Sequence, residues 1–81
     1  MNKENELLEN LSLLHTTTLG AKRIKNNLSL EAEDAVAWCK SQIVSPRAVI
    51  SRRGKNWYVE INGCTITVNA YSYTIITAHK N

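Results

Sequence analysis

Histidine is the side chain best suited to proton transfer near neutral pH, and one of the two in this sequence, His79, lies in its basic half. Cleavage of RNA without a metal needs a base for the 2′-hydroxyl, an acid for the leaving oxygen and cations for the phosphorane. The cations that could accompany His79 are Lys80, Arg47, Arg53 and Lys55. The sequence therefore predicts His79 and Lys80 as the catalytic residues of a weak metal-independent ribonuclease.

Both histidines also have simpler interpretations. The strand alternation that exposes Lys80 places His79 on the other side of the sheet, opposite Cys64, unless the strand frays near its end. A histidine in a terminal strand is more often a surface or half-buried residue than a catalytic one. The position of His15 at the end of the first helix explains it without a catalytic role. Whether the chain is an enzyme stays open at this stage.

Motifs for other chemistry are absent from the sequence. It has no phosphate loop, GxGxxG, HExxH, zinc cluster or nucleophile elbow. Cys39 and Cys64 have neither CxxC spacing nor a nearby histidine, so both are expected in the core, with a disulfide or metal site as the alternative. The prediction is a protein without a metal or a cofactor.

Basic residues concentrate in the second half of the chain. The 81 residues have a net charge of +3. Residues 1–46 contain five basic and six acidic side chains, whereas residues 47–81 contain five basic side chains and only Glu60 as an acidic one. A half with this excess attracts RNA or another polyanion, or an acidic protein partner. Many small proteins carry a similar charge for solubility alone.

The elements that position these residues begin with helices. Leucines at 7, 8, 11 and 14 predict an amphipathic first helix over residues 4–14. A second helix is expected to begin near Thr18, and Ser29 is the predicted N-cap of a third. The first turns of that third helix are expected to contain Glu31, Glu33 and Asp34, where negative charge suits the helix dipole. Its buried stripe is expected to contain Val36, Cys39 and Ile43.

Pro46 ends the helical part, because the residue before a proline avoids the helical region. Four strands should follow, beginning near Ala48, Trp57, Cys64 and Tyr73. Asn62-Gly63 is a strong hairpin signal, since a type I′ turn needs a positive φ at both central residues. That turn pairs Ile61 with Cys64, Val59 with Ile66, and Trp57 with Val68. If Arg53-Gly54 and Tyr71-Ser72 are also two-residue turns, Ile50 lies opposite Trp57 and Ile75 opposite Val68.

This register divides the sheet into an apolar and a polar face. The apolar face is predicted to hold Ile50, Trp57, Val59, Ile61, Cys64, Ile66, Val68, Tyr73 and Ile75, and the polar face Val49, Ser51, Tyr58, Glu60, Thr65, Thr67, Asn69, Thr74, Ile76 and Lys80. The sequence therefore predicts an α+β fold, with two to three N-terminal helices packed on one face of a C-terminal four-stranded antiparallel β-meander. One domain should span residues 1–81, with a helical part over 1–45 and the meander over 47–81.

The polar face is the surface left free for a partner. RNA would suit this face. Its phosphates would contact Arg47, Arg53 and Lys55, a base would stack on Tyr58, and Asn69 would add a polar contact. The simpler interpretation is that Thr and Tyr favour strands. The alternative function is a non-catalytic module that binds an acidic protein or pairs with itself through a sheet edge.

Two further classes of function fit the sequence less well. Residues 19–27 and 29–43 could form a helix-turn-helix, but Glu31, Glu33 and Asp34 at the start of the second helix would repel DNA phosphates. No apolar run approaches the roughly 20 residues of a membrane span, and no signal-peptide core follows Met1. With 43% hydrophobic and 21% charged residues, the chain is expected to be a cytoplasmic, globular monomer or homodimer.

Three segments carry a resemblance to a known family. They are residues 20–28 (GAKRIKNNL), 54–59 (GKNWYV) and 66–77 (ITVNAYSYTIIT). In these the chain resembles an uncharacterised family of short bacterial proteins, the domain of unknown function 3781. The likeness covers nearly the whole chain and implies no activity.

A more distant resemblance involves the helices followed by a small antiparallel sheet. In this order the chain is similar to the RelE, BrnT and barnase-like group of microbial ribonucleases and toxins, which usually cleave RNA or bind an antitoxin over the sheet. Members often have a histidine and an arginine around the Lys-Arg-Ile helix. The resemblance implies a nucleic-acid contact for Arg23, whereas Gly20 stands where the histidine is expected.

Overall fold

A computed structural model describes residues 3–29 and 34–81 and confirms the α+β arrangement. The helices are α1 (Lys3–Glu9), α2 (Thr18–Leu28) and α3 (Ala35–Ile43), with a 3₁₀ turn at Leu11–Leu13. The strands are β1 (Val49–Arg53), β2 (Asn56–Ile61), β3 (Cys64–Asn69) and β4 (Ile75–Lys80). They form one antiparallel sheet in the order β1-β2-β3-β4, which is the predicted meander.

Side-chain caps fix the ends of α2 and α3. The Thr17 hydroxyl accepts the Gly20 N–H at 2.9 Å, so α2 begins at Thr18 as predicted. The predicted N-cap of the third helix is wrong, because Ser29 ends α2 in the left-handed conformation, with φ at 52°. Asp34 caps α3 instead, accepting the Ala37 N–H at 3.1 Å. Glu31 and Glu33 lie outside the described residues.

The β2–β3 hairpin has the predicted register. Asn62 and Gly63 both have positive φ, at 50° and 74°, as a type I′ turn requires. The three predicted pairs, Ile61–Cys64, Val59–Ile66 and Trp57–Val68, are confirmed.

The predicted β1–β2 turn is displaced by one residue. Gly54 and Lys55 form the two-residue loop, Arg53 pairs with Asn56, and Ile50 therefore lies opposite Val59 rather than Trp57. The physical reason is that Gly54 has a positive φ of 58° at the first turn position, as in a type II′ turn, whereas a turn at Arg53-Gly54 would force positive φ on Arg53. The resulting shift of two positions in the pairing leaves Ile50 on the helix-covered side.

An irregularity in β4 reverses the predicted placement of His79 and Lys80. Val68 pairs with Ile75 as predicted, but Thr67 pairs with Thr77, so Ile76 is an extra residue in a β-bulge. After the bulge, His79 lies opposite Thr65 and Lys80 opposite Cys64. His79 therefore projects from the polar face and Lys80 from the helix-covered side, the reverse of the prediction.

The core lies between the helices and one face of the sheet. Its buried side chains are Leu7, Leu14, Ile24, Leu28, Ala35, Cys39, Ile43, Trp57, Val59, Ile66, Val68, Ile75 and Ala78. Every helical stripe predicted from the sequence contributes to it, although Val36 is half-buried and Leu8 is exposed. The first helix is shorter than predicted, because α1 ends at Glu9 and Leu14 lies beyond the 3₁₀ turn.

The Cys39 thiol gives the core a pH dependence. Burial, and secondarily the Asp34 carboxylate, raise the pKa of Cys39 from 9.0 to about 12. Between these values the unfolded chain loses the thiol proton while the folded chain keeps it. Stability should therefore fall as the pH rises above 9, by up to about 1.4 kcal/mol per pH unit.

Urea unfolding between pH 8 and 11 measures this effect. Because tyrosines and lysines also titrate in this range, the informative quantity is the difference between the wild-type protein and Cys39→Ala. The difference should be constant below pH 9 and shrink above it. Parallel curves for the two proteins across the whole range would contradict the prediction.

None of the helices in the described part of the chain is both long and apolar enough to span a bilayer.

Candidate nucleic-acid interface

One end of the sheet gathers cations and aromatic rings, and we call it the basic end. It consists of Arg52, Arg53, Lys55, Tyr58 and Tyr71. The β1–β2 turn and the loop between β3 and β4 meet there, because the Ala70 N–H donates to the Lys55 carbonyl at 2.8 Å. The two loops therefore form one continuous surface.

Arg52 lies between two aromatic rings. Its guanidinium carbon is 5.5 Å from the Trp57 ring centre and 5.6 Å from that of Tyr71. Its Nε donates to the Gly54 carbonyl at 2.9 Å, which leaves the terminal amino groups as its unused donors. Such contacts hold the guanidinium in one orientation and reduce the entropy lost when it binds a ligand.

Arg53 makes the equivalent contact on the polar face. Adjacent strand residues point to opposite faces, so Arg53 leaves β1 on the side opposite Arg52. Its guanidinium lies 4.8 Å from the centre of the Tyr58 ring. The two arginines thus flank the β1–β2 turn, with the exposed Lys55 at its tip.

The cations of the basic end lack acidic partners. Arg52, Arg53 and Lys55 make no ion pair with any carboxylate in the part of the chain that the structure describes. The four strands contain one acidic residue, Glu60, which pairs with Val49 at the other end of β1. Three positive charges at this end are therefore available to an anion.

Asn69 organises the loop that carries Tyr71. Its Oδ1 accepts the N–H groups of Tyr71 at 2.9 Å and of Ser72 at 3.0 Å. The Tyr71 ring is 76% exposed, more than any other large apolar side chain in the described residues. It stands on a fixed backbone with Arg52 beside it, as a platform for base stacking would.

His15 holds the same loop through the Thr74 hydroxyl. His15 Nδ1 lies 2.9 Å from the Leu13 carbonyl, which can only accept, so Nδ1 donates, and Nε2 forms a second hydrogen bond with Thr74 Oγ1 at 3.0 Å. The backbone adds bonds from the His15 N–H to the Tyr73 carbonyl and from the Ile75 N–H to the His15 carbonyl. His15 therefore joins the helical part to the start of β4.

The structure brings together only some of the residues predicted for RNA. Arg53, Lys55 and Tyr58 belong to the basic end, and Asn69 lies beside it, paired with Asn56. Arg47, before β1, and Lys80, at the end of β4, lie at the opposite end of the sheet, whereas Arg23 is exposed on α2.

His79 is far from the basic end. His79 lies opposite Thr65 of β3, which lies opposite Glu60 of β2. Arg53 lies opposite Asn56, which is four residues from Glu60 along β2. At about 3.3 Å per residue this is roughly 13 Å, and β1 and β4 are about 14 Å apart across the sheet. One phosphate cannot contact both His79 and Arg53, so the structure does not assemble the predicted cluster.

A family match accompanies this geometry. Residues 8–79 match the model of a family described as a protein of unknown function (DUF3781). The chain belongs to this family. The match includes α2, α3 and all of β1 to β3, and it confirms the first of the two resemblances. No curated protein and no solved structure matches the chain.

The likeness to the RelE, BrnT and barnase-like group has no support from these comparisons, and Gly20 shows a physical difficulty. A Cβ at Gly20 would overlap the hydroxyl of Thr16, which donates to the Ile75 carbonyl at 2.9 Å. This DUF3781 member therefore cannot accommodate a histidine at Gly20 without losing a bond between β4 and the segment that precedes α2.

Two residues of the basic end were missed by sequence reasoning. Arg52 was predicted in no role, and Tyr71 was treated as part of a turn. The available signal was the close grouping of Arg52-Arg53-Gly54-Lys55 with tyrosines, but contacts between two separate loops depend on the register.

Among the described residues no three His, Cys, Asp or Glu side chains converge as metal ligands would.

Proposed function

We propose that the protein binds single-stranded RNA at the basic end. The observation that carries this proposal is the pair of arginines, Arg52 and Arg53, that stack on aromatic rings and lack carboxylate partners. Guanidinium groups bind phosphates through paired N–H donors, and exposed aromatic rings stack on unpaired bases. Such a role is consistent with the cytoplasmic location expected from the sequence.

A single strand fits this surface better than a duplex. The exposed Tyr71 ring lies beside Arg52 on one side of the turn, and only a base that has left its own stack can stack on it. Tyr58 is half-buried and its ring already has Arg53 beside it. Tyr71, rather than the predicted Tyr58, is therefore proposed as the main stacking platform.

Replacing Tyr71 tests the stacking contact. Tyr71→Ala should weaken binding of a fluorescent uridine 12-mer by about 1–3 kcal/mol, or roughly 5- to 150-fold, measured by fluorescence anisotropy. Tyr71→Phe keeps the ring and should bind like the wild-type protein. Equal binding by all three proteins would overturn the stacking role, and no binding by the wild-type protein at low salt would overturn the proposed function.

The cleavage by His79 and Lys80 that the sequence predicted is not part of this proposal. Because these residues lie at the other end of the sheet, we expect an RNA held at the basic end to stay intact during incubation with EDTA. Gel analysis of end-labelled RNA measures this outcome. Cleavage that disappears in His79→Ala, with binding retained, would instead establish the ribonuclease.

A further inference from the structure

The two edges of the sheet differ in how their backbone groups are used. At β4 the Ile75 N–H donates to the His15 carbonyl at 2.7 Å, and the Thr16 hydroxyl donates to the Ile75 carbonyl at 2.9 Å. The Asn27 side chain lies 3.4 Å from the Ala78 carbonyl. The segment at His15 and Thr16 and helix α2 thus cover the edge of β4.

Helix α1 packs beside β1, but no hydrogen bond of this kind covers the edge of the strand in the described residues. Residues that flank a two-residue hairpin loop form a hydrogen-bonded pair, so Arg53 bonds to Asn56 and Ser51 to Tyr58. The N–H and C=O groups of Ile50 and Arg52 consequently point away from β2. No hydrogen bond reaches them from anywhere within residues 3–29 and 34–81. Val49, on the same strand, is 62% exposed.

Charge identifies the kind of strand that would fit this edge. Arg52 and Arg53 are two of its five residues, and Arg47 precedes it, all without a carboxylate partner in the described chain. A second copy would place four arginines in one strand pair with no acidic residue on either strand, which opposes self-association. A segment with carboxylates at two adjacent positions, one on each face of the sheet, would pair with these charges.

We infer that the edge of β1 binds an extended acidic segment of another protein, which adds a fifth strand to the sheet. Backbone bonds to Ile50 and Arg52 provide the pairing, and carboxylates beside Arg52 and Arg53 select the partner. This site shares Arg52 and Arg53 with the proposed RNA surface, so the two ligands should compete, but the backbone pairing at β1 does not require RNA binding.

Hydrogen exchange measured by NMR tests the docking at single residues. The probe is a capped seven-residue peptide of Val and Thr with two adjacent Glu residues at its centre, and its control has Lys in place of Glu. At about nine-tenths saturation, the Glu peptide should slow exchange of the Ile50 and Arg52 amides about tenfold, because exchange then requires release of the peptide. Amides of Ser51 and Arg53, already bonded to β2, should change little.

Two variants separate the backbone bond from the charge. Arg52→Gln and Arg52→Pro both remove the guanidinium, but only proline removes the outward N–H, and an edge position tolerates it. The proline variant should bind the Glu peptide more weakly than the glutamine variant. Unchanged exchange would overturn the inference, and so would equal protection by the Lys peptide. Protection that grows with protein concentration in the absence of peptide would also overturn it, because a second copy would then occupy the edge.

Discussion

A protein with glutamine in place of both Arg52 and Arg53 should bind single-stranded RNA at least about a hundredfold more weakly than the wild-type protein at low salt. Each arginine can make charge-assisted hydrogen bonds to a phosphate, with a net contribution of roughly 1.5–3 kcal/mol. The variant also loses two positive charges that displace counterions. The slope of log affinity against log salt should therefore become shallower by about 1.4.

The control for this double variant removes the same charge from the other end of the sheet. Arg47→Gln combined with Lys80→Gln leaves the basic end unchanged, since both residues lie near the Asn62-Gly63 turn. This control should keep affinity within a few fold of the wild-type value. Equal losses in the two double variants would show that net charge, rather than the stacked arginines, determines binding.

Trp57→Ala should destabilise the protein by about 3–5 kcal/mol, the largest effect expected from a single substitution. The Trp57 side chain is fully buried, and its ring centre lies 5.3 Å from that of Tyr73. It also supports the guanidinium of Arg52. Because small domains have a total stability of roughly 5–15 kcal/mol, urea unfolding followed by circular dichroism should detect a large decrease in the midpoint.

Trp57→Phe is the matched variant for this site. The Trp57 indole N–H is buried without a hydrogen-bond partner among the described residues. Phenylalanine keeps an aromatic ring and removes this unpaired donor, so part of the lost packing energy is regained. The phenylalanine variant should therefore be clearly more stable than the alanine variant. A loss below about 1 kcal/mol in Trp57→Ala would contradict the assigned packing.

The parts of the fold that short-range sequence signals determine were predictable. Asn62-Gly63 fixed the β2–β3 register because a type I′ turn has few alternatives. No feature of the sequence indicated the bulge at Ile76, because the bulge depends on how β4 packs against α2 and the segment around His15. That one extra residue exchanged the faces of His79 and Lys80.

The candidate site was less predictable than the fold. The sequence indicated a basic β half and selected Arg53, Lys55 and Tyr58, but it could not separate the two ends of the sheet. That separation depends on strand direction, which places Arg47 far from Arg53 although they are six positions apart in sequence. The contact between Arg52 and Tyr71 joins two loops and required the three-dimensional structure.

NMR mapping of a uridine 12-mer on the isotopically labelled protein tests the central claim most directly. Binding at the basic end predicts the largest chemical-shift changes at Arg52, Arg53, Lys55 and Tyr71, including the arginine side-chain N–H signals. Arg47 and His79 at the opposite end should change little. Changes centred on His79 and Lys80, or none at low salt, would contradict the account.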